Sequence, residues 1–278
     1  MKNIHLLVID PQNDFCDKSG ALYVENADKD MNRLSDFIFK YSRKLSGITI
    51  TFDLHKIFHI ANPIFWVDSL GAHPAPFTII NLEDIKSGKY VTSNKQYEEY
   101  GRFYVEKLES NGRYELTIWP PHCIIGTSGS NIYKDLLVAL DKFEAENSNK
   151  INYVFKSINS FTEQYSILYS DVNSSEFKDN SNLNIISHDN FSGKEIMKVV
   201  NNNDIILVAG EALSHCVANS ILDIGKERNN DLSNFILLRD TTSNVKGFEK
   251  LGDNFIDIAK SYGMKVEHTN NLEHIFNE

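Results

Sequence analysis

Ile205-Ile206-Leu207-Val208-Ala209-Gly210-Glu211-Ala212-Leu213-Ser214-His215-Cys216-Val217 is an apolar run, closed by a glycine turn and followed near Cys216 by the start of a stretch with helical period. A short aliphatic run with no polar alternation reads as a strand buried on both faces, and such strands belong to parallel sheets covered by helices. The unit recurs along the chain. Strands are expected at Ile4 to Ile9, Gly47 to Phe52, Glu115 to Trp119, Ile151 to Phe155, Asp204 to Ala209, Asn234 to Leu238 and Lys265 to His268. Helices are expected at Asp28 to Arg43, Ile132 to Asn147, Lys194 to Asn201, Cys216 to Arg228 and Asn244 to Tyr262. The first of these repeats Met31, Leu34, Phe37, Ile38 and Tyr41 at three- and four-residue spacing, which makes one stripe for burial. Such alternation predicts an α/β fold, a doubly wound three-layer sandwich with a mostly parallel sheet.

Two stretches break the alternation. Ile57 to Tyr114 shows no clean strand and has a charged middle from Gln96 to Lys107, and Ser170 to Asn203 is rich in Asn and Ser. Long irregular segments inside a compact unit are commonly binding loops or lids. The expectation is one domain over residues 1–278 with insertions at about 57–114 and 170–203.

Length and composition narrow the function classes. The 278 residues are enough for a core without disulfide or metal staples, and 41% hydrophobic with 24% charged residues is ordinary globular composition. Against 38 Asp and Glu stand 28 Lys and Arg, a formal charge of -10, with no long basic run. That balance argues against a nucleic-acid or membrane partner and for a small-molecule ligand. Met1 to Asp10 reads as a first strand and not as a signal peptide, and no apolar stretch reaches the roughly 18 to 20 residues of a membrane span. Cys16, Cys123 and Cys216 are too few and too scattered for a disulfide framework, so a reducing, cytoplasmic setting is expected.

Several polar residues fall where predicted strands end, the edge at which open parallel sheets bind ligands. Asp10 follows Ile4 to Ile9 in Ile9-Asp10-Pro11-Gln12-Asn13-Asp14-Phe15, a position that would also suit a turn former. In Asp53-Leu54-His55 the two polar side chains stand two apart on extended backbone and so face one side. With His122 of Trp119-Pro120-Pro121-His122-Cys123 they could hold one divalent metal ion. A carboxylate with imidazoles suits zinc, iron or manganese. His59 could be a fourth ligand or merely face the ion's water. Cys216, at the opening of a helix, would feel the helix dipole, which lowers a thiol's pKa, and nearby backbone N–H groups could cradle an oxyanion. Lys156 ends a strand as well, so Asp10, Lys156 and Cys216 could meet as a base, a cation and a nucleophile.

The sequence resembles the isochorismatase-like cysteine hydrolases, and within them the nicotinamidase-related branch, over nearly the whole chain outside the two insertions. The motifs that carry the resemblance are Val8 to Phe15, Asp53-Leu54-His55 with His59, and Trp119 to Cys123 with Gly126-Thr127. They continue with Phe155-Lys156-Ser157 leading to Phe161-Thr162-Glu163 and Tyr165-Ser166, and end with Gly210-Glu211-Ala212 and His215-Cys216-Val217. The resemblance implies Cys216 as nucleophile, Asp10 as proton shuttle, Lys156 as the cation favouring thiolate, and an oxyanion hole from the N–H groups of Ala212 and Cys216. It implies a cis peptide between Glu211 and Ala212, and a divalent metal on Asp53, His55 and His122 that receives a pyridine nitrogen between aromatics matching Phe15 and Trp119. It also implies cleavage of a small amide, nicotinamide to nicotinate and ammonia, through a thioester. The alternatives are a related amidase for another small amide or a carbamoyl compound, and a non-catalytic ligand-binding protein on the same fold.

Three features depart from the family pattern. Glu211 stands where many relatives are apolar and would put a charge beside the substrate, Ser157 stands where Gly is common, and the chain is some tens of residues longer than a compact nicotinamidase. The first insertion leaves one metal ligand and returns at another, so it is expected either to close the pocket or, through Tyr97, Tyr100, Phe103 and Tyr104, to make a homo-oligomer interface.

Overall fold

The computed structural model describes residues 2–112, 114–148, 150–178 and 191–277. In chain order the elements are β1 (Ile4–Ile9), α1 (Asn13–Cys16), α2 (Ala27–Tyr41), β2 (Gly47–Asp53), β3 (Trp66–Asp68), β4 (Ile79–Ile80), α3 (Leu82–Lys86), β5 (Tyr90–Thr92) and α4 (Glu98–Asn111). They continue with β6 (Leu116–Thr117), α5 (Lys134–Asn147), β7 (Ile151–Lys156), α6 (Phe191–Asn201), β8 (Ile205–Gly210), α7 (Ala218–Glu227), β9 (Phe235–Leu238), α8 (Glu249–Ser261) and β10 (Lys265–Glu267).

Six strands form one parallel sheet in the order β10-β9-β8-β1-β2-β7, with β1 at the centre of the reversal of winding. Alternate residues of a strand face opposite sides. In β1, Ile4, Leu6 and Val8 join α2 and α5 in one core, while Leu7 and Ile9 join α6, α7 and α8 in the other. The single strand β1 thus feeds both layers, its residues apolar except His5, which is buried and hydrogen-bonded to Thr49. The sheet register sets the site: Ile9 lies opposite Gly210, and Asp53 lies opposite Lys156.

Two expectations need correction. The strand over Glu115 to Trp119 shrinks to Leu116–Thr117, which pairs antiparallel with β4 outside the main sheet. Pro120 and Pro121 follow without a backbone N–H to extend a ladder, and Trp119 N–H donates to Ala61 O instead. The stretch from Ile57 to Tyr114 is also not irregular: it holds β3 paired with β5, β4, α3 and α4, the last covering the charged middle. Its apolar face is buried in its own chain. Tyr100 and Tyr104 are fully buried, with the Tyr100 hydroxyl donating to Phe161 O and the Tyr104 hydroxyl accepting from Glu163 N–H. Neither ring is free to meet a second chain. Of the second insertion, residues 179–190 lie outside the described residues, and α6 covers its end.

Candidate active site

The carboxyl ends of β1, β2, β7 and β8 converge. Lys156 is the centre: its Nζ lies 3.0 Å from Asp10 Oδ2, donates to Asp53 Oδ1 at 2.9 Å and Gln164 O at 2.9 Å, and reaches Cys216 Sγ at 3.5 Å. Asp10, Lys156 and Cys216 are thus brought together as the residue reading anticipated. Asp10 has a positive φ of 45°, and its N–H donates to Thr51 Oγ1 while Thr51 returns its hydroxyl proton to Asp10 Oδ1 at 2.5 Å. Asp10 Oδ2, though beside Lys156, makes no aligned hydrogen bond among the described residues, which leaves it a lone pair for another proton.

The electrostatics depart from the sequence reading in one respect. Burial pushes the Cys216 thiol well above its usual range, further than Lys156 pulls it down. Helix α7 starts only at Ala218, after a turn over Leu213–Val217, and the buried site outweighs the dipole expected of a helix starting at Cys216. Burial also raises the Asp10 carboxyl against the pull of Lys156, whereas Asp53, equally buried, is held well below the carboxylate range by His55 and Lys156. Lys156 itself, despite its burial, is held well above its ordinary value by Asp10 and Asp53.

At the turn that carries the nucleophile, the Glu211–Ala212 peptide is cis. Ala212 N–H has no hydrogen-bond partner among the described residues, as an oxyanion donor requires. Gly210 is needed here: its φ is +110°, and a Cβ would fall 2.0 Å from Ile9 O.

On the other side of Asp53 lie the candidate ligands. Asp53 Oδ2 is 2.9 Å from His55 Nε2 and 3.4 Å from His122 Nε2, and the three ligand atoms fall within 4.8 Å of one another. His122 Nδ1–H donates to Pro120 O, which turns the Nε2 lone pair toward Asp53. The His55 Nε2 contact is a hydrogen bond to Asp53 Oδ2, and His55 Nδ1 is buried without a partner among the described residues. The donor set fits a divalent ion. His59 Nε2–H donates to Thr162 O and its Nδ1 accepts from Ala61 N–H, and with His55 and Glu163 it forms a second buried group of possible ligand atoms.

Phe15 sits 5.3 Å from the His122 ring, and Trp119 packs on His215 at 5.4 Å with its Nε1–H donating to Tyr165. Glu211 is not with them. Its carboxyl is fully buried on the α2 side beside Asp30, with Oε2 accepting from Ser243 N–H. Sequence reasoning missed Gln12, which clasps Asp53 by accepting from its N–H and donating to its carbonyl, and Glu163, whose buried carboxylate lies 4.0 Å from His55. Both sit inside the quoted motifs. Their polarity in otherwise buried runs was the available signal.

The three-layer α/β fold with its reversing parallel sheet thus brings a cysteine, a lysine and an aspartate together at its carboxyl edge. Solved structures bear out the architecture. The chain is similar to the yeast nicotinamidase at 20% identity, with 95% of this chain and 98% of that one covered and a TM-score of 0.62. It is similar to a Pyrococcus horikoshii pyrazinamidase solved in complex with zinc, at 20% identity, 96% and 99% coverage and a TM-score of 0.55. It is also similar to an N-carbamoylsarcosine amidase from Thermoplasma acidophilum at 16% identity, 98% and 99% coverage and a TM-score of 0.50. No protein-family profile matches the chain, and no curated protein matches it in sequence. Among the described residues no helix is long and apolar enough to cross a membrane.

Proposed function

We propose that this chain is a cysteine amidohydrolase that cleaves the C–N bond of a small amide, with nicotinamide as the substrate, in a cytoplasmic setting. The observation that carries the reading is the convergence of Asp10, Asp53 and Cys216 on the one ammonium of Lys156. Buried lysine charge of that kind is sustained only by the carboxylates around it, and a thiol within its reach gains a stabilised thiolate when its proton leaves.

In this mechanism Asp10 Oδ2 takes the Cys216 thiol proton as Sγ bonds to the amide carbonyl carbon. The negative charge that forms on oxygen is received by the N–H groups of Ala212 and Cys216. Collapse of the tetrahedral species breaks the C–N bond, and Asp10 returns its proton to the nitrogen, which departs as ammonia. Water then attacks the thioester as Asp10 takes a proton from it, and when the C–S bond breaks Asp10 returns that proton to Sγ, so the acid leaves with Cys216 again a thiol. Asp53, His55 and His122 would hold the divalent ion, whose chemistry when bound is to accept a ring nitrogen or a water as a Lewis acid. Phe15 and Trp119 would flank the substrate ring and exclude water from it.

Ammonia release across a panel of nicotinamide, pyrazinamide and aliphatic and carbamoyl amides, with and without chelator, tests the reading. Turnover of nicotinamide that falls on chelation is the expected result. Preference for a carbamoyl compound with no chelator effect would favour the related-amidase alternative, and no ammonia from any of them would leave a binding protein.

A further inference from the structure

Glu211, which the substrate site does not use, lies at the root of the turn that presents Ala212 and Cys216. Its neighbours form a network centred on Ser243. The Ser243 N–H donates to Glu211 Oε2 at 3.0 Å, its hydroxyl donates to Asp30 Oδ2 at 2.5 Å, and its carbonyl accepts from Leu213 N–H at 2.8 Å. The residues on either side of the Ala212 amide are therefore both tied to one serine. Asp30 is in turn held by Arg33, whose Nε–H donates to Asp240 O, so α2 and the segment around Ser243 are joined as well. A second strap runs from Val245 N–H to Ser214 Oγ, which bonds His215 Nδ1.

We propose that Glu211 is a positioning residue for the oxyanion-binding turn, clamping the Ser243 segment and α2 against it through Ser243 and Asp30. Its Oε1 is buried without a partner among the described residues, and the carboxyl beside it is that of Asp30. Burial and the neighbouring Asp30 both hold the Glu211 carboxyl well above its ordinary range, which favours its protonated form. The charged and titratable groups that bear on the pair are Arg33 beside Asp30, Arg239, whose Nη1–H donates to Thr242 O, and the buried thiol of Cys16. A carboxyl in this state donates one hydrogen bond and accepts another, as a glutamine side chain also does, and this distinguishes a clamp from a charge.

The inference rests on the amidohydrolase reading for its kinetic consequence but not for its structural one, and the test separates the two. Glu211→Gln, Glu211→Val and Ser243→Ala are compared with the unaltered protein in kcat and KM for the best amide, in inhibition by the corresponding aldehyde, and in amide hydrogen exchange over residues 210–217. The clamp predicts that Glu211→Gln stays within about three-fold in kcat. Glu211→Val should lose on the order of 10- to 100-fold in kcat and in aldehyde affinity with little change in KM, because a displaced donor costs transition-state and not ground-state binding. Exchange at 210–217 rises in that variant. Ser243→Ala, the milder change should Glu211→Val not fold, shows the same pattern with a smaller loss. Equal loss in the Gln and Val variants, or a kcat and an exchange rate unaltered by Val, overturns the clamp. If the unaltered protein turns over no amide, the amidohydrolase reading fails and exchange alone decides the clamp: faster exchange in Glu211→Val but not in Glu211→Gln supports it, and any other pattern overturns it.

Discussion

Asp53 serves two neighbours with its two oxygens, Lys156 through Oδ1 and the imidazoles through Oδ2. Substitutions there should differ from those at His122. His122→Ala is expected to raise KM for nicotinamide on the order of 10- to 100-fold and to lower bound metal, with Cys216 alkylation unchanged. Asp53→Ala should likewise raise KM and lower bound metal but should speed alkylation, because the Asp53 charge helps hold the thiol proton on. Metal analysis, kinetics and iodoacetamide labelling read all three quantities, and full affinity with full metal in both variants would remove the ligand assignment. A second residue-scale expectation concerns His5, buried against Thr49 with its pKa lowered by burial to about 4. The unfolded chain takes up that proton near pH 6.5 and the folded one does not, so stability rises with pH between about 4 and 6.5, by about 3 kcal/mol from this group. Urea midpoints at pH 4.5 and 7 should differ less in His5→Gln than in the unaltered protein, and an identical difference would refute the assignment.

At the scale of elements, the parts that were legible in the sequence were those that depend on a short window. The run Ile205 to Ala209 is apolar throughout and Ile4 to Ile9 is so except at His5, and Asp10, Asp53, Lys156 and Gly210 each end a strand run, so the carboxyl edge could be read directly. What could not be read depends on tertiary surroundings. The opposition of Asp53 and Lys156 comes from the register of β2 on β7, the two bonds that occupy His59 come from Ala61 and Thr162, and the direction of the Glu211 side chain is settled by α2. Strands as short as β4 and β6 have too few residues to show a period at all. The expected depression of the Cys216 pKa failed for the same reason, since burial is a property of the assembled sheet. Gly210 gives the element-scale prediction. Gly210→Ala forces a Cβ onto Ile9 O where β8 pairs with β1, and should cost roughly 2 to 4 kcal/mol by chemical denaturation, with activity lost as Asp10 and Ala212 move apart. A loss below about 0.5 kcal/mol would contradict the close approach.

For the whole molecule, the first insertion is built into the wall around the site. Tyr100 and Tyr104 hold the segment from Phe161 to Glu163, Gly101 leaves room for Trp66, and Tyr114 stacks on His215 at 5.4 Å. Replacement of Asn81 to Asn111 by a short Gly/Ser linker would uncover these surfaces. We expect that deletion to lose cooperative unfolding and turnover together, seen by denaturation and ammonia release, whereas a stable deletion that merely halves in sedimenting mass would show an oligomer interface. The central claim is that Cys216 carries the acyl group. Acid quenching during nicotinamide turnover, followed by peptide mass spectrometry, should find the nicotinoyl mass on the Cys216 peptide and on neither Cys16 nor Cys123. Continued turnover in Cys216→Ala, or turnover in the unaltered enzyme with no adduct at Cys216, would contradict it.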